Sequence, residues 1–532
     1  MKIEKTWTIL SVLVLVLLAL AEALTMAVVL QMNILPGKYI IVLIGLMTLS
    51  VLGVALFFFV RSGGSVPLAR RIISCVLAVL LVCLCVYVSR NVVITYETFQ
   101  EITNDVLDVI PTGKNMYVLI RAEDPTVSLS TMANYSYGVI ANHDVKKVAK
   151  FTEWIGKTTG VVPAPIGYTT APELADALLN KQVDAIIISG VTIALLEEQD
   201  AYTQFMSKVK IMAEVPFADL QDKPTVSQDS NGGTNNATNN STGSNNTEPE
   251  QETKPVDPNR NVTNTPFAIY IGASDQYGNT LYASRSDVNI LMIVNPTTKQ
   301  ILLINTPRDA YVANPEGDGE MDKLTHCGLY GPSCSKDALA MLYGTQIDYY
   351  GQINFAGFKK LIDTIDGITV YSDQAFTTVI GSHYIQKGEN HLNGSQALGF
   401  ARERYRVNGG DNTRGKNQMK VITAVIKKLT SSPVLITKYA EIMSDMKGTF
   451  KTNMQMEEIS MLVKMQLDDM ASWEINSFAV NGTAGSEVTY SWAGMKLYVM
   501  HLNQKSVDHA SNLINRLVTG EFLKPEDMKV PA

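Results

Sequence analysis

The sequence has no surplus of positive charge. Its 44 lysines and arginines stand against 51 aspartates and glutamates, which gives a formal net charge of −7 over 532 residues. Proteins that bind nucleic acid through its phosphates usually carry a basic face or stripe, and this balance argues against one. We therefore expect no nucleic-acid partner. The length predicts more than one domain, because a domain usually has about 100–200 residues.

Familiar catalytic signatures are missing as well. There is no Ser-His-Asp spacing and no cysteine in an activating context, so a covalent enzyme intermediate is not required. Residues 95–221 contain no phosphate-binding loop, no nucleophile elbow and no metal-ligand spacing. Strand-like and helix-like segments alternate there, which predicts a small parallel α/β unit that acts as a spacer or a protein-interaction module.

What the sequence does contain is three long apolar runs near its start, at 7–32, 39–60 and 72–88. Each is close to the roughly 20 residues that cross a bilayer as a helix. The first is too long for a signal peptide and has no small-residue cleavage site. Two lysines precede the first run and three arginines separate the second from the third, whereas a single lysine separates the first from the second. This bias predicts a multi-pass cell-membrane protein with a cytoplasmic N-terminus and an extracellular C-terminal region.

Composition divides the chain into four predicted domains. Residues 1–94 form a membrane domain with three transmembrane helices, and residues 95–221 form an extracellular accessory α/β domain. Residues 222–265 are rich in Asn, Ser and Thr and have almost no apolar side chains, which predicts a linker. Residues 266–532 again alternate strand-like and helix-like runs, including a hairpin within 286–305, and predict a second α/β or α+β domain.

This last domain concentrates positive charge between residues 402 and 418. Arg402, Arg404 and Arg406 are spaced by two, so they would point the same way from an extended backbone. Their guanidinium groups have the fork geometry that suits phosphate. The alternative is a solvated surface with charge pairs, Glu403 included.

A helix is predicted directly after these arginines. Residues 408–412 read NGGDN, which predicts a tight turn, and Asp411 or Thr413 would cap a helix that starts near Arg414. Arg414 and Gln418 are four residues apart and share a face of its first turns. Since a helix N-terminus attracts anions, this face is a candidate anion site.

Charged residues also stand at the ends of the predicted strands. Asp275 follows the first strand, Arg285 and Asp287 open the second, and Arg308 and Asp309 follow the third. Charges packed against strand ends are costly unless they are paired or used. Mutual pairing is therefore the alternative to a functional site.

Together these motifs resemble the LytR-CpsA-Psr family, and within it the streptococcal members that act in capsule synthesis. The resemblance rests on SRSDVNILMI, NTPRD, DYYGQINFAGFKKLIDTIDGITV, and GFARERYR followed by DNTRGKNQ, in this order across most of residues 265–520. The three apolar runs and the accessory domain resemble these members too. The resemblance implies an α/β (α+β) domain of the LytR-CpsA-Psr type, in which helices flank a central mixed sheet.

A protein of this kind is expected to be a membrane-anchored phosphotransferase. It would transfer a capsular or other cell-wall glycopolymer from a polyprenyl-pyrophosphate carrier to peptidoglycan, assisted by a magnesium ion or, alternatively, manganese. Membrane lipid and capsule-assembly membrane proteins are its further expected partners. Two alternatives use the same features: a polyprenyl-pyrophosphate hydrolase with water as acceptor, and a lipid-sensing regulator of capsule synthesis.

The resemblance also assigns residues to the site. Asp275 and Asp287 would hold the metal, and together with Arg285 and Arg308 they form the predicted catalytic set. Asn417 stands where many members have an arginine, so no phosphate contact is assigned to it. The predicted pyrophosphate ligands are Arg285, Arg308, Arg402, Arg404, Arg414 and Gln418.

An apolar stripe on the predicted helix suggests where a prenyl chain would lie. The stripe begins one turn after Gln418, so a phosphate held there would direct its lipid tail along the same helix. We expect an elongated apolar pocket between the central sheet and this helix, opening at the arginines. Simple core packing is the alternative. The predicted lipid-binding residues are Ile422, Val425, Ile426 and Leu429, with Met461, Leu462 and Met465 on a second helix.

Five cysteines are present, and two of them lie outside the apolar runs. Cys327 and Cys334 are separated by six residues of a predicted outer loop. Because an extracellular space is oxidising, we predict a disulfide between them. The alternatives are two reduced thiols, or a metal pair that includes His326.

Overall fold

The computed structural model describes residues 2–32, 35–60, 67–103, 112–220, 260–274, 284–431 and 433–531. Contacts within the chain divide it into two compact units. The first unit consists of Met1–Val109, Asn261–Ser486 and Tyr498–Ala532, and the second consists of Ile110–Arg260 and Glu487–Leu497. The membrane-type helices thus belong to the same unit as the arginine-rich domain. The sequence does not predict this grouping, nor the assignment of a short segment near residue 490 to the second unit.

Three N-terminal helices are long and apolar enough to cross a membrane, within Trp7–Gln31, Gly37–Phe59 and Leu68–Thr103. They are α1 (Lys2–Met32), α2 (Gly37–Phe59) and α3 (Leu68–Thr103). Their apolar side chains are largely exposed in the structure, which suits contact with lipid rather than water. The predicted transmembrane helices are therefore supported by length and composition.

The second unit is built on a five-stranded sheet in the order β3-β2-β4-β1-β5. Strands β2, β3 and β4 are parallel neighbours, but β1 runs antiparallel to both β4 and β5. The expectation of a purely parallel unit was wrong, because the chain returns to pair β5 with the first strand. Its elements are β1 (Asn115–Arg121), β2 (Tyr137–Ile140), α4 (Val145–Thr159), β3 (Ile166–Tyr168), α5 (Ala171–Leu179), β4 (Ala185–Ser189), α6 (Gly190–Glu197) and β5 (Val209–Pro216).

The remaining strands form one main sheet and several two-stranded pairs, and the last two of them, within 482–502, include the Glu487–Leu497 segment of the second unit. They are β6 (Phe267–Ser274), β7 (Ser286–Asn295), β8 (Gln300–Asn305), β9 (Tyr311–Ala313), β10 (Met321–Lys323), β11 (Tyr349–Asn354), β12 (Ile368–Ser372), β13 (Phe376–Thr377), β14 (Tyr384–Ile385), β15 (Gly388–Leu392), β16 (Phe450–Thr452), β17 (Glu474–Ala479), β18 (Gly482–Thr489) and β19 (Trp492–Leu502).

The main sheet has the order β16-β11-β6-β7-β8-β17. Its β11–β6 and β8–β17 pairs are parallel and its other pairs are antiparallel. Every residue of β8 is buried, as expected of an apolar strand covered on both faces. The predicted central mixed sheet and the predicted β7–β8 hairpin are both confirmed.

Helices flank this sheet, as predicted. They are α7 (Leu324–Cys327), α8 (Pro332–Tyr343), α9 (Phe355–Thr364), α10 (Gly394–Arg402), α11 (Gly410–Ser431), α12 (Val434–Thr437), α13 (Tyr439–Met446), α14 (Met456–Asp469) and α15 (Gln504–Val518). Helix α11 begins at Gly410, one turn earlier than predicted. Asp411 therefore lies in its first turn rather than at its cap.

Two close approaches position the site elements. Gly415 of α11 lies directly against Asn305 at the end of β8, where a Cβ atom would stand 2.3 Å from the Asn305 Nδ2 atom. Only glycine allows the helix to come this close to the sheet. At the other side of the unit, the last turns of α3 pack against α13 and α14 through Phe99, Ile102 and Met443. The membrane-type helix thus continues without a break onto the surface of the domain.

Candidate functional site

A polar pocket collects five of the predicted site residues. It has an empty volume of about 560 Å³, including its open mouth. The segment 379–380 and the chain that follows α10 both form part of its wall. The predicted residues that line it are Asp287, Arg308, Arg402, Arg404 and Arg414. The sheet and its flanking helices here bring together residues that lie more than 100 positions apart in the sequence.

Arg308 is held by carboxylates at the floor of this pocket. Its guanidinium contacts the Asp287 carboxylate, and its Nε atom lies 3.8 Å from Asp309. Asp309 also forms an ion pair of 2.6 Å with Lys323. All four side chains are largely buried, at 11–16% exposure. Mutual pairing, the alternative considered for these strand-end charges, is therefore part of the arrangement.

Arg402 and Arg404 differ from Arg308, because neither forms an ion pair with a carboxylate in the part of the chain that the structure describes. The Arg402 guanidinium lies 4.3 Å from the centre of the Phe355 ring, and that of Arg404 lies 4.7 Å from the Tyr405 ring. Arg406 is exposed, donates to the Thr377 carbonyl at 3.3 Å, and does not line the pocket. Two guanidinium groups thus face the pocket without a compensating anion.

Glu403, between these arginines, has an unexpected role. Its side chain is only 2% exposed, yet it pairs with none of the arginines among the described residues. Its carboxylate accepts backbone N–H bonds from Val379 at 2.6 Å, Tyr405 at 2.8 Å and Arg406 at 3.0 Å. Burial alone would raise the pKa of Glu403, but these backbone donors outweigh it and hold the pKa below its ordinary value.

Arg414 is the most buried cation of the pocket. Its guanidinium forms a 2.5 Å ion pair with Asp411, one turn earlier in α11. Burial lowers the pKa of Arg414 and raises that of Asp411, although each charge favours the other. Desolvation therefore outweighs the attraction on both partners, as is common for buried ion pairs. Arg308 and Arg404 are near enough to add to the positive potential here.

An apolar cavity adjoins the polar pocket. Its empty volume is about 650 Å³, and it lies between strands β6, β7 and β11 and helices α9, α10 and α11. Asp287, Arg402 and Arg414 line both spaces, so the two meet at these side chains. The remaining lining is almost entirely apolar: Ile271, Gly272, Ala273, Val288, Ile353, Phe355, Phe358, Leu398, Ala401, Gln418, Val421 and Ile422.

The cavity uses only part of the predicted lipid stripe. Arg414, Gln418 and Ile422, spaced by four residues, line it along one face of α11. Val425 and Leu429 instead pack against a core cluster around Phe400 and Val421, and Ile426 is outside the cavity lining. Val425, Ile426 and Leu429 thus lie outside the lining of this cavity, and their assignment to lipid binding stays a prediction. Met461 and Met465 line a separate open cleft beside Gly37 and Lys464.

The other predicted ligands are placed as follows. Gln418 is buried and lines the apolar cavity rather than the polar pocket. Arg285 is partly buried just before β7 and lines neither space. Asn417 is buried and donates to the Phe400 carbonyl at 3.4 Å, so it fastens α11 to α10 instead of facing the pocket. Asp275 lies outside the described residues.

Asp287 is the described residue that fits a metal. It stands where the two cavities meet, with its side chain 16% exposed, and a carboxylate together with phosphate oxygens is the donor set that Mg²⁺ prefers. Among the described residues, no group of three or more His, Cys, Asp or Glu side chains is arranged to hold a metal ion. Asp287 also contacts Arg308, so an ion there would compete with this pairing.

The predicted disulfide is absent from the structure. Cys327 and Cys334 are buried free thiols, and Cys334 Sγ lies 3.4 Å from Asn314 Oδ1. The hydrogen bond with Cys334, followed by burial, raises the pKa of the Cys327 thiol. His326 Nδ1 lies 2.7 Å from Asp322 Oδ1, and among the described residues no group of three or more His, Cys, Asp or Glu side chains could hold a metal ion here. The structure thus corresponds to the reduced alternative, and oxidation of the pair stays a prediction.

Sequence reasoning missed three contributors to the site. The sequence offers Glu403 only as part of the alternative with charge pairs, and its position between arginines gives no sign of its backbone contacts. Asp411 was assigned to a cap rather than to the ion pair with Arg414. Tyr498 of β19 is half exposed and lies near Asp309 and Asp411, and burial followed by these carboxylates raises its pKa. Its distance along the chain left no local signal for this placement.

Comparison with known proteins gives the family. The family model described as LytR_cpsA_psr matches residues 233–515. A teichoic acid transferase from Bacillus cereus, named polyisoprenyl-teichoic acid–peptidoglycan teichoic acid transferase TagU, is 33% identical over 195 residues, which are 36% of this chain and 62% of that protein. A protein of the same name from Enterococcus faecalis is 32% identical over 205 residues, covering 38% of this chain and 65% of that protein. The match thus spans less than two thirds of these relatives.

Solved structures give similar matches. TagV of Bacillus subtilis is 23% identical, with a TM-score of 0.41, and covers 49% of this chain and 99% of that one. A structure described as TagT bound to LI-WTA is 24% identical, with a TM-score of 0.40, and covers 48% of this chain and 92% of that one. Since the family model matches more than half of the length of this chain, the chain belongs to the LytR-CpsA-Psr family.

Proposed function

We propose that the protein is a membrane-anchored phosphotransferase that moves a cell-wall glycopolymer, capsular or teichoic, from a polyprenyl-pyrophosphate carrier to peptidoglycan. The observation that carries the proposal is the meeting of two unlike spaces at Asp287, Arg402 and Arg414. A polyprenyl pyrophosphate has the matching shape, with a strongly anionic head group joined to a long apolar chain. The relatives named as teichoic acid transferases support the transfer of a glycopolymer to peptidoglycan.

In this reaction an acceptor hydroxyl attacks the phosphorus next to the sugar. The bond from that phosphorus to the bridging oxygen breaks, polyprenyl phosphate leaves with the electron pair, and the proton of the acceptor hydroxyl passes to the departing phosphate or to water. Phosphoryl transfer of this kind is catalysed mainly by positioning and by stabilising the charge on the phosphate oxygens. Arg402 and Arg404 would supply that stabilisation, because they face the pocket without carboxylate partners. Arg414 and Arg308 add charge from paired positions.

A divalent ion, magnesium or manganese, would be held by Asp287 together with Asp275. Bound there, it would neutralise part of the negative charge of the pyrophosphate. The contact between Asp287 and Arg308 means that the carboxylate serves the arginine, the ion or both in turn. The polar residues of the pocket bind and orient the head group in either case.

We also propose that the domain with the arginine-rich site lies outside the cell membrane. The lysine and arginine bias around the three helices favours an extracellular domain, where a lipid carrier and peptidoglycan would both be accessible. Within the first unit, Lys38 forms a 3.5 Å ion pair with Asp468, so the N-terminal end of α2 contacts the end of α14. A reporter enzyme fused to the C-terminus should be active only outside the cell. Activity in the cytoplasm would remove the peptidoglycan acceptor from the proposal.

The decisive experiment uses the full chain in detergent with a synthetic polyprenyl-pyrophosphate oligosaccharide and a peptidoglycan fragment. We expect a sugar-phosphate-linked product that requires the fragment. Free sugar phosphate formed at the same rate without the fragment would favour the hydrolase, in which water is the acceptor. Tight lipid binding without either product would favour the lipid-sensing regulator. Mass spectrometry of lipid that co-purifies with the chain provides an independent check.

A further inference from the structure

The chain that follows α10 bends sharply around a single buried carboxylate. Glu403 has an extended backbone, and its side chain turns inward beneath residues 404–406. It accepts the amide protons of Tyr405 and Arg406, two and three residues later, and the Arg404 amide also contributes. These local bonds define the direction in which the chain leaves the helix. That direction decides which way the neighbouring arginine side chains point.

The same carboxylate reaches across to another part of the wall. Its second oxygen accepts the Val379 amide at 2.6 Å, which comes from a segment 24 residues earlier in the sequence. Val379 and Ile380 line the polar pocket, as do Arg402 and Arg404. One side chain therefore joins two segments of the pocket wall, the 404–406 segment and the 379–380 segment, with one oxygen for each.

We propose that Glu403 is a positioning residue of the anion site, which holds Arg402 and Arg404 toward the pocket by binding backbone amides on both walls. The inference rests on the proposed function, because it assumes that these arginines bind the pyrophosphate head group. Glu403 itself would not contact the substrate. Its negative charge would be stabilised by backbone N–H donors, so that the two guanidinium groups remain available to the ligand.

The chemistry of the group explains why a carboxylate suits this role. A buried glutamate beside three arginines would ordinarily form an ion pair with one of them and reduce its affinity for an external anion. Bonds from several backbone amides satisfy the carboxylate instead and are strong because the acceptor is charged. A glutamine would offer only one acceptor oxygen, and its NH₂ group would face an amide donor. Glu403→Gln therefore loses the bond to one of the two walls.

The test is a double-mutant cycle read out by binding of inorganic pyrophosphate, at a fixed magnesium concentration, to the full chain in detergent. Glu403→Gln should weaken pyrophosphate binding about tenfold, by analogy with residues that orient metal ligands, whose loss costs about 10–100-fold in affinity. In an Arg404→Ala background, Glu403→Gln should weaken pyrophosphate binding less than about threefold, because one of the two arginines that Glu403 positions is already absent. Glu389→Gln, an exposed glutamate on β15, serves as the matched control and should change nothing.

Equal losses in both backgrounds would overturn the proposal, since Glu403 would then act independently of Arg404. Unchanged binding in Glu403→Gln alone would overturn it as well. If the glutamine variant does not fold, Glu403→Asp is measured in the same cycle, and the same two results are expected. Aspartate keeps the charge, but its side chain is one methylene shorter, so its oxygens lie farther from the backbone amides. Absent binding to the native chain, or no effect of Arg404→Ala, would instead remove the proposed anion site and this inference with it.

Discussion

The polar pocket and the apolar cavity share three side chains but are built by opposite rules. The cavity is lined by residues from strands and helices whose apolar faces already point toward the core, so it needs little beyond correct packing. The pocket brings together cations that repel one another and lose hydration when buried. It depends on carboxylates and backbone amides that hold each cation in place. From this difference we expect small substitutions to affect the site most at its head-group end, in the polar pocket.

The arginines of the pocket divide into two groups on this basis. Arg308 and Arg414 are largely buried and lie against Asp287 and Asp411. Arg402 and Arg404 are less buried and lie beside aromatic rings. The first group should contribute to the fold as well as to binding, whereas the second should contribute to binding alone.

Arg414→Ala should have the largest effect. It leaves the half-buried Asp411 carboxylate without its partner, and breaking an ion pair costs up to about 3–5 kcal/mol where both partners are fully buried. We expect a clear drop in the free energy of unfolding, measured by chemical denaturation, together with loss of pyrophosphate binding. The Asp411→Asn/Arg414→Ala double variant should recover part of the stability. Unchanged stability in the single variant would contradict the distinction between paired and unpaired arginines.

Arg404→Ala should weaken pyrophosphate binding by about 1.5–3 kcal/mol, the range for a hydrogen bond to a charged group, and leave unfolding unchanged. Arg406→Ala is the matched control, because Arg406 is close in sequence but exposed and outside the pocket. Isothermal titration of both variants checks the contrast. Equal losses would show that the affinity comes from general positive charge in this segment and not from the pocket.

Ile422→Trp tests the apolar cavity separately from the pocket. A larger ring at Ile422 would occupy the space beside Gln418, so binding of a polyprenyl phosphate should fall at least about tenfold while inorganic pyrophosphate binds as before. Ile426→Trp, one turn later and outside the cavity lining, is the control. Native-like lipid binding by Ile422→Trp would place the prenyl chain elsewhere. Loss of both ligands would mean that the two spaces are not independent.

The pH dependence of stability sharpens the role of Glu403. Because its folded-state pKa is lowered, its stabilising contribution is present at neutral pH and is lost as the pH falls through that lowered value, below the ordinary range of about 4.3. Glutamine resembles the protonated form. The melting temperatures of the native chain and Glu403→Gln should therefore differ at neutral pH and converge in acid. A constant difference would contradict the assignment.

The smallest effect is expected for the cysteine pair. Cys327 and Cys334 lie on α7 and α8, outside the lining of both spaces. A Cys327→Ser/Cys334→Ser variant should bind pyrophosphate within about twofold of the native chain. Alkylation under denaturing, non-reducing conditions tests the predicted disulfide in protein isolated from cells. Labelling of both residues would agree with the thiols of the structure and count against oxidation.

Much of the fold could be predicted because its signals are local. Near-continuous apolar runs such as ILLIN gave the buried strands, and the turn between two of them gave the hairpin. The spacing of Arg414, Gln418 and Ile422 gave a common helical face. The stripe beyond Ile422 is less informative, because apolar spacing shows that a helix face is covered but does not show what covers it. Val425 and Leu429 cover the core next to the cavity instead of the cavity.

The sequence by itself determined that three apolar helices precede a mixed-sheet domain of the LytR-CpsA-Psr family, and that arginines cluster in one segment of it. Only the tertiary structure decided which arginines are paired, which face a pocket, and that this pocket adjoins an apolar cavity. The physical reason is the distance along the sequence over which each kind of interaction acts. Hydrophobic periodicity acts between neighbouring residues, whereas Val379 binds Glu403, and Asp287 binds Arg308, from segments more than 20 residues away. Their charges are balanced only when the sheet and helices bring those segments together.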